Sequence, residues 1–272
     1  MDAKPIYIFD AGGTKTDVLI KYNNQITSHT LSGYNPNRLD TYFNREVVRL
    51  DIPENALIYF YGSGINNQIA VKQVKNLFRS TNIHVEGDIL GAARAAFNKS
   101  EGIVCILGTG GICAQYNGEK IIRKNGGYGF LIDDLGGGLE LSKVVVSNWL
   151  NGNYSEYTTK AIENYFEVSK NDFIPIFYQT KNLHKLANLC SIIIDLSLKD
   201  ITLNQSIGDY FDSFIERHVK PICNNSKNDK ITIIGSIATY FNDWIIKSAL
   251  KHKIEVAEII QKPIHKLLDY HQ

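Results

Sequence analysis

Net charge is nearly absent from this sequence: 29 lysines and arginines stand against 28 aspartates and glutamates, a formal +1. No global field draws such a chain to nucleic acid or to an anionic membrane, so a small, uncharged or singly charged partner fits better. No apolar run is long enough to span a bilayer. The opening Met1-Asp2-Ala3-Lys4-Pro5 reaches only a short apolar strand, without the long apolar region or small-residue cleavage site of a secretory leader. A cytoplasmic location is expected. Cysteine is scarce, and Cys105, Cys113, Cys190 and Cys223 stand in neither C-x-x-C nor the Cys/His spacing of zinc sites. Reduced, buried thiols are expected, and metal binding through cysteine is not. Two common nucleotide signatures are missing as well: the G-x-x-x-x-G-K-[ST] loop and a G-x-G-x-x-G between strand and helix. No stretch is long or polar enough for a disordered linker.

What is there suffices for a substantial core, since 44% of the 272 residues are hydrophobic and 11% aromatic; the length suits one large or two modest domains. Pro5 to Phe9 reads as a short strand ending at Asp10-Ala11-Gly12-Gly13-Thr14. Strands Thr16 to Tyr22 and, past an Asn23-Asn24 turn, Gln25 to Thr30 complete a meander. Leu39, Phe43, Val47 and Leu50 recur near helical spacing, Ala56 to Tyr61 reads as a buried strand, and Asn67 to Arg79 as a helix. Ile83 to Val85 is a short strand, and Asp88 opens an alanine-rich helix to Phe97. The second half starts in the same way. Gly102 to Leu107 ends in Gly108-Thr109-Gly110-Gly111, Ile112 to Tyr116 follows, and Asn117-Gly118 turns the chain into Glu119 to Arg123. Two meanders with glycine-rich first turns imply two related lobes. From about Gly137 to Ile222 the pattern is mostly helical; Ile231 to Ile234 is a strand, Ile237 to Leu250 a helix, and Pro263 to His271 a short helix with Pro263 at its start.

In the turn Asp10-Ala11-Gly12-Gly13-Thr14-Lys15-Thr16, glycine lacks the Cβ that would block backbone amides from a phosphate. Thr14 and Lys15 can donate to phosphate oxygens, and Asp10 is placed to hold magnesium through water. An ordinary hairpin whose glycines only supply positive φ is the plainer reading. The Gly108 to Gly111 turn, with the Thr109 hydroxyl, has the same logic. Both turns join strand to strand.

Asp10 to Asp17 resembles the first phosphate motif, Gly108 to Gly111 the second, and Gly235-Ser236-Ile237-Ala238 the adenosine motif of the superfamily of actin, sugar kinases and heat-shock chaperone ATPases. Within it the chain resembles, over nearly its whole length, the group of N-acetylglucosamine kinases and benzoyl-CoA reductase activator ATPases, particularly short bacterial members. The resemblance implies an α/β, two-lobed actin-like ATPase of ribonuclease H-like lobes with an interlobe nucleotide cleft. The lobes expected are residues 1–98 and 99–272, with a final helix at about 258–272 able to pack back on the first. It also implies ATP and Mg²⁺ as cofactors. Asp10 is the residue expected to hold the metal through water, and Gly12, Gly13, Thr14, Lys15, Thr109, Gly110, Gly235, Ser236 and Ala238 the ATP-binding set.

Gly126-Gly127-Tyr128-Gly129 followed by Asp133-Asp134 and Gly136 is similar to the sugar loop of those kinases. By that likeness Asn35, Gly127, Tyr128 and Asp134 bind the sugar and Asp88 is the catalytic base. On the residues alone, Tyr128 would be a core aromatic and Asp88 a helix N-cap. The activity implied is transfer of the γ-phosphoryl group of ATP to the 6-hydroxyl of an amino sugar, first N-acetylglucosamine. The alternatives are N-acetylmuramic acid or glucosamine as acceptor, or an activator-type or regulatory ATPase without sugar phosphorylation. An activator would need iron-sulfur thiolates, and Cys113, near the second turn, has no obvious partner in the sequence. The expected partner is a small amino sugar, not nucleic acid or membrane, and homodimers are common among such relatives. Two places depart from the pattern. Gly111 and Ile112 stand where serine and asparagine are usual, and Leu135 replaces a glutamate while an extra acid, Asp133, precedes Asp134.

Overall fold

The computed structural model describes residues 4–23, 25–36, 42–226 and 228–272. Met1 to Ala3, Asn24 of the first expected turn and Leu39 of the expected helical series lie outside these. The chain opens as a meander, β1 (Ile6–Ala11), β2 (Lys15–Tyr22) and β3 (Gln25–Ser32), paired antiparallel with Asp10 opposite Asp17. Helix α1 (Tyr42–Arg49) leads to β4 (Leu57–Gly62), and α2 (Gln68–Lys75) leads to β5 (Ile83–Gly87). Asn67 caps α2 by accepting the Ala70 N–H at 2.9 Å, satisfying one of the donors that a helix start leaves open. β4 lies parallel to β1 and β5 parallel to β4, so the sheet runs β3-β2-β1-β4-β5. Helix α3 (Asp88–Phe97) follows β5 without a loop; its alanines are the best helix formers and bury four small residues, Gly91, Ala92, Ala93 and Ala95.

The second half comprises β6 (Glu101–Leu107), β7 (Gly111–Asn117) and β8 (Ile121–Gly126), then helices α4 (Gly138–Leu150), α5 (Glu156–Phe166), α6 (Phe173–Thr180), α7 (Leu183–Asn188), α8 (Cys190–Ser197) and α9 (Ile201–Phe214). A π-helical turn, Ile215–Val219, joins α9 to α10 (Lys220–Ser226). There follow β9 (Lys230–Ile234), α11 (Ser236–Tyr240), α12 (Asn242–Lys251), β10 (Glu255–Ile260) and α13 (Ile264–Tyr270). The second sheet runs β10-β9-β6-β7-β8, a meander extended by two later strands, as in the first. The π turn has a local cause. Pro221 offers no N–H to the Arg217 carbonyl and crowds it, and the Lys220 N–H reaches back five residues to Ile215.

The chain divides into two compact units: Met1–Val104 with Tyr116–Ile122 and Lys262–Gln272, and Cys105–Gln115 with Arg123–Gln261. The first is centred on stacked and edge-on rings, Phe9 against Phe60 at 5.5 Å and Phe78 at 5.3 Å, with Tyr34 against Phe43 at 4.9 Å. The second buries Trp149 against Phe173 at 5.2 Å, and Phe211 against Phe241 at 5.7 Å.

Two sequence expectations change here. The helix expected at about 258–272 begins only at Ile264, because Glu258 to Ile260 complete β10 and Pro263 sets the helix start. The expected Ile237 to Leu250 helix is broken at Phe241, whose fully buried ring and φ of −109° separate α11 from α12. Among the described residues no helix is long and apolar enough to cross a membrane.

Candidate active site

In the first unit, the residues singled out by sequence gather at the carboxyl ends of β1 and β5, the edge at which open α/β sheets receive ligands. The turn between β1 and β2 is tight: the Gly12 N–H donates to the Lys15 carbonyl at 2.9 Å. The segment carrying Asn35 is pinned to that turn, since the Gly33 N–H donates to Thr14 O at 3.1 Å and the Tyr34 N–H to Gly12 O at 3.1 Å. Gly33 is there because of close approach; a Cβ on it would fall 2.5 Å from the Gly13 carbonyl carbon and 2.6 Å from that of Thr14. Thr14 and Lys15 are exposed at the tip.

Asp10, half-buried at the end of β1, has its carboxyl pushed up to about 7, first by burial, then by the charges of Asp88 and Asp17, against the opposing pull of Lys15 and Lys262. The metal and base candidates of the sequence, Asp10 and Asp88, are therefore near enough for the charge of Asp88 to be felt at Asp10. Asp88 is the first residue of α3 rather than its N-cap, which is Gly87; its Oδ1 accepts the Ile89 N–H at 2.8 Å. Its placement as N-cap is thus corrected by one position. Sequence reading missed Asp17 and Lys262. Asp17 is buried, accepts from the Thr30 hydroxyl at 3.0 Å, and meets Lys262 Nζ at 3.3 Å and Lys15 Nζ at 3.5 Å. Lys262 lies in no motif, so only the fold brings it here.

In the second unit, the Gly108 to Gly111 turn, the acidic loop and the Gly235 to Ala238 segment pack closely around the end of β6. A Cβ on Gly110 would stand 2.8 Å from both carboxylate oxygens of Asp134, and one on Gly137 would stand 2.5 Å from the Gly110 carbonyl carbon and Thr109 O. The α4 N-terminus takes its acceptors from the same turn, Gly138 N–H to Gly108 O at 2.9 Å and Leu139 N–H to Thr109 O at 3.2 Å. Gly111 has a clear reason: a Cβ there would enter the Leu135 carbonyl, 2.8 Å from its carbon. The serine usual at that position has no room. Gly235, at φ 124°, would set a Cβ 2.8 Å from the Leu107 carbonyl carbon, which seats the Gly235 to Ala238 segment on the end of β6. Ser236 is half-buried, and Ala238 is fully buried.

Gly127, at φ 71°, rests on Ile112. Tyr128 is 59% exposed, so it is not a core aromatic. Asp134 is pushed up to about 6 by burial, eased by a backbone N–H from Gly129, with Glu140 and Asp133 adding to the rise and Lys143 opposing it. Lys143 also holds the loop by donating to Phe130 O at 2.7 Å, and the Tyr210 hydroxyl accepts from the Gly136 N–H at 2.8 Å and donates to Gly137 O at 2.7 Å. All four cysteines are free and buried. Cys113 does have a neighbour that the sequence did not reveal, Cys105, and burial pushes its thiol well up.

No protein-family model and no curated protein sequence matches the chain. Solved structures do. A provisionally named N-acetylglucosamine kinase from Porphyromonas gingivalis superposes with a TM-score of 0.86 at 26% identity, over 99% of this chain and 98% of that one. A second protein provisionally given that name, from Chromobacterium violaceum, gives 0.78 at 14% identity over 99% of both chains. A ROK-family glucokinase from Streptomyces griseus, in complex with glucose and AMPPNP, gives 0.56 at 10% over 98% of both.

Proposed function

We propose that this chain, whose fold is that of the actin-like sugar kinases, phosphorylates a sugar with ATP, and specifically the 6-hydroxyl of an N-acylated hexosamine, N-acetylglucosamine first. The observation that carries the reading is the placing of two carboxylates, Asp10 on β1 and Asp88 just after β5, close enough for the charge of Asp88 to act on Asp10. Phosphoryl transfer asks little covalent chemistry of a protein and much positioning and charge neutralisation. In this reading Gly12, Gly13, Thr14, Lys15, Thr109 and Gly110 hold phosphates, and Gly235, Ser236 and Ala238 underlie adenosine. Asn35, Gly127, Tyr128 and Asp134 orient the sugar, and Asp88 accepts its hydroxyl proton.

Among the described residues no three His, Cys, Asp or Glu groups are arranged to grip a metal. That suits magnesium, which keeps most of its waters and needs one or two carboxylates beside substrate phosphates. Asp10, under the charge of Asp88 and Asp17, fits this role through water. When bound, magnesium would neutralise the phosphate charge that develops during transfer. An activator ATPase is less well supported, because thiolates are the ligands of iron-sulfur clusters and burial holds Cys113, Cys190 and Cys223 protonated.

The test is coupled ADP release with N-acetylglucosamine, N-acetylmuramic acid, glucosamine and no sugar. Stimulation greatest with an N-acetylated hexosamine is expected. Release that ignores every sugar would defeat the reading in favour of a regulatory or coupling ATPase.

A further inference from the structure

The extra acid of the sugar loop, Asp133, has no place in the roles above. It is bound by His218, which comes from the π turn 85 positions later in the chain. His218 is 5% exposed, and its Nε2 stands 3.2 Å from Asp133 Oδ1; facing a carboxylate, that nitrogen carries the hydrogen. The Leu135 N–H also points to Asp133 Oδ1, at 3.4 Å. The Asp133 backbone closes the loop on itself, taking the Tyr128 N–H on its carbonyl at 3.0 Å and giving its own N–H to Gly129 O at 3.0 Å. Asp133 is therefore the latch of a short excursion, with Tyr128 at one end and Asp134 next in sequence at the other.

The π turn reaches the rest of this excursion too. The His218 carbonyl accepts from Asn125 Nδ2 at 3.2 Å, and a Cβ on Gly126 would meet the His218 ring at 3.5 Å. Phe214, one turn earlier, occupies the space where a Cβ on Gly136 would be. A regular α-helix continued from α9 would rotate residue 218 away from this alignment, because a π turn adds a residue to the turn.

From this geometry we infer that His218 is a positioning residue for the acceptor, acting through Asp133 to fix where Tyr128 and Asp134 are presented. The inference rests on the sugar-kinase reading. It makes His218 a selector of sugar geometry and leaves nucleotide handling to other groups.

The experiment compares His218→Leu, which removes the donor, with His218→Gln, whose amide nitrogen can replace Nε2. Both are measured by ADP release at varied sugar and varied ATP, and by amide hydrogen exchange. In His218→Leu the sugar KM should rise on the order of tenfold, the scale of one net hydrogen bond to a charged group, while the ATP KM stays within about twofold. Exchange at the Tyr128 and Asp133 amides should speed up. His218→Gln should restore both. Equal rises in the two KM values, or a folded His218→Leu with wild-type exchange at Tyr128 and Asp133, would overturn the inference. Wild-type protein inert to every sugar defeats the kinase reading, and with it the acceptor role. That failure is told apart from the other because exchange reports on the latch without turnover.

Discussion

Gly111→Ala puts a methyl group where the acidic loop already stands. The new Cβ would enter the Leu135 carbonyl, 2.8 Å from its carbon and 2.9 Å from the Gly137 nitrogen, and separations under 3.0 Å essentially never occur. No rotamer change relieves the overlap, since both neighbours are backbone. Nor can the loop drift freely, because Tyr210 holds Gly136 and Gly137 and His218 holds Asp133. Overpacking typically costs about 1–3 kcal/mol, and a clash with fastened backbone belongs at the upper end. At about 2–4 °C per kcal/mol for chains approaching this size, the melting temperature should fall by roughly 6–12 °C. Gly108→Ala is the matched control: nothing lies within 4 Å of its Cβ, and a change of no more than about 0.5 kcal/mol is expected. Scanning calorimetry of the two variants and wild type, side by side without ligand, decides the matter. If Gly111→Ala melts with Gly108→Ala, the loop is not fastened as argued, and the explanation for the missing serine fails.

Two further outcomes are expected. Asp88→Asn keeps an oxygen for the Ile89 N–H, so the protein should fold and bind as before while kcat falls on the order of 10²- to 10⁴-fold, the scale of a lost general base; sugar turnover near the wild-type rate would return Asp88 to a structural role. His271, whose Nε2 lies 2.7 Å from the Tyr61 hydroxyl and whose ring stacks on Tyr59, is pulled from 6.5 to about 4 by burial, then by Arg94 and His84. The unfolded chain therefore binds this proton first, and the contribution of the neutral ring, present above pH 6.5, is lost as pH falls toward 4. Discounted for partial exposure, it is about 1–2 kcal/mol. Asp10 and Asp134, both raised, act in the opposite sense, so the check is the difference from His271→Gln, whose melting temperature should fall less steeply with acid; parallel curves would refute it.

Much of the fold is visible in local pattern. The two meanders announce themselves by β-branched runs broken at glycine turns, and Asp88 by its place between a short strand and an alanine-rich run. What escapes sequence reading is made by contacts between distant segments. Lys262 and Asp17 are 245 positions apart, and Cys105 meets Cys113 only across paired strands. The π turn depends on a proline whose effect is felt one turn earlier. Strand β10 hides because its Glu255-Val256-Ala257-Glu258-Ile259-Ile260 run lies at a sheet edge, where only Ile260 is buried and alternation is weak. The departures at Gly111 and Leu135 are readable as departures. The cause at Gly111, a Cβ that would strike the Leu135 backbone, needs the structure.

Lys262–Gln272 belongs with residues 1–104, and this has a consequence for the order in which the protein can be made. Helix α13 seats Ile264, Leu267 and Leu268 against α3, β1 and β2, yet it is translated only after residues 105–261. At about 5–20 residues per second, the earliest segment to leave the ribosome waits roughly 10–30 s for its closing helix. Throughout that interval the apolar seat beside β1 and α3 is uncovered. A ribosome that stalls anywhere in 105–261 leaves residues 1–104 made but without the segment that closes their unit.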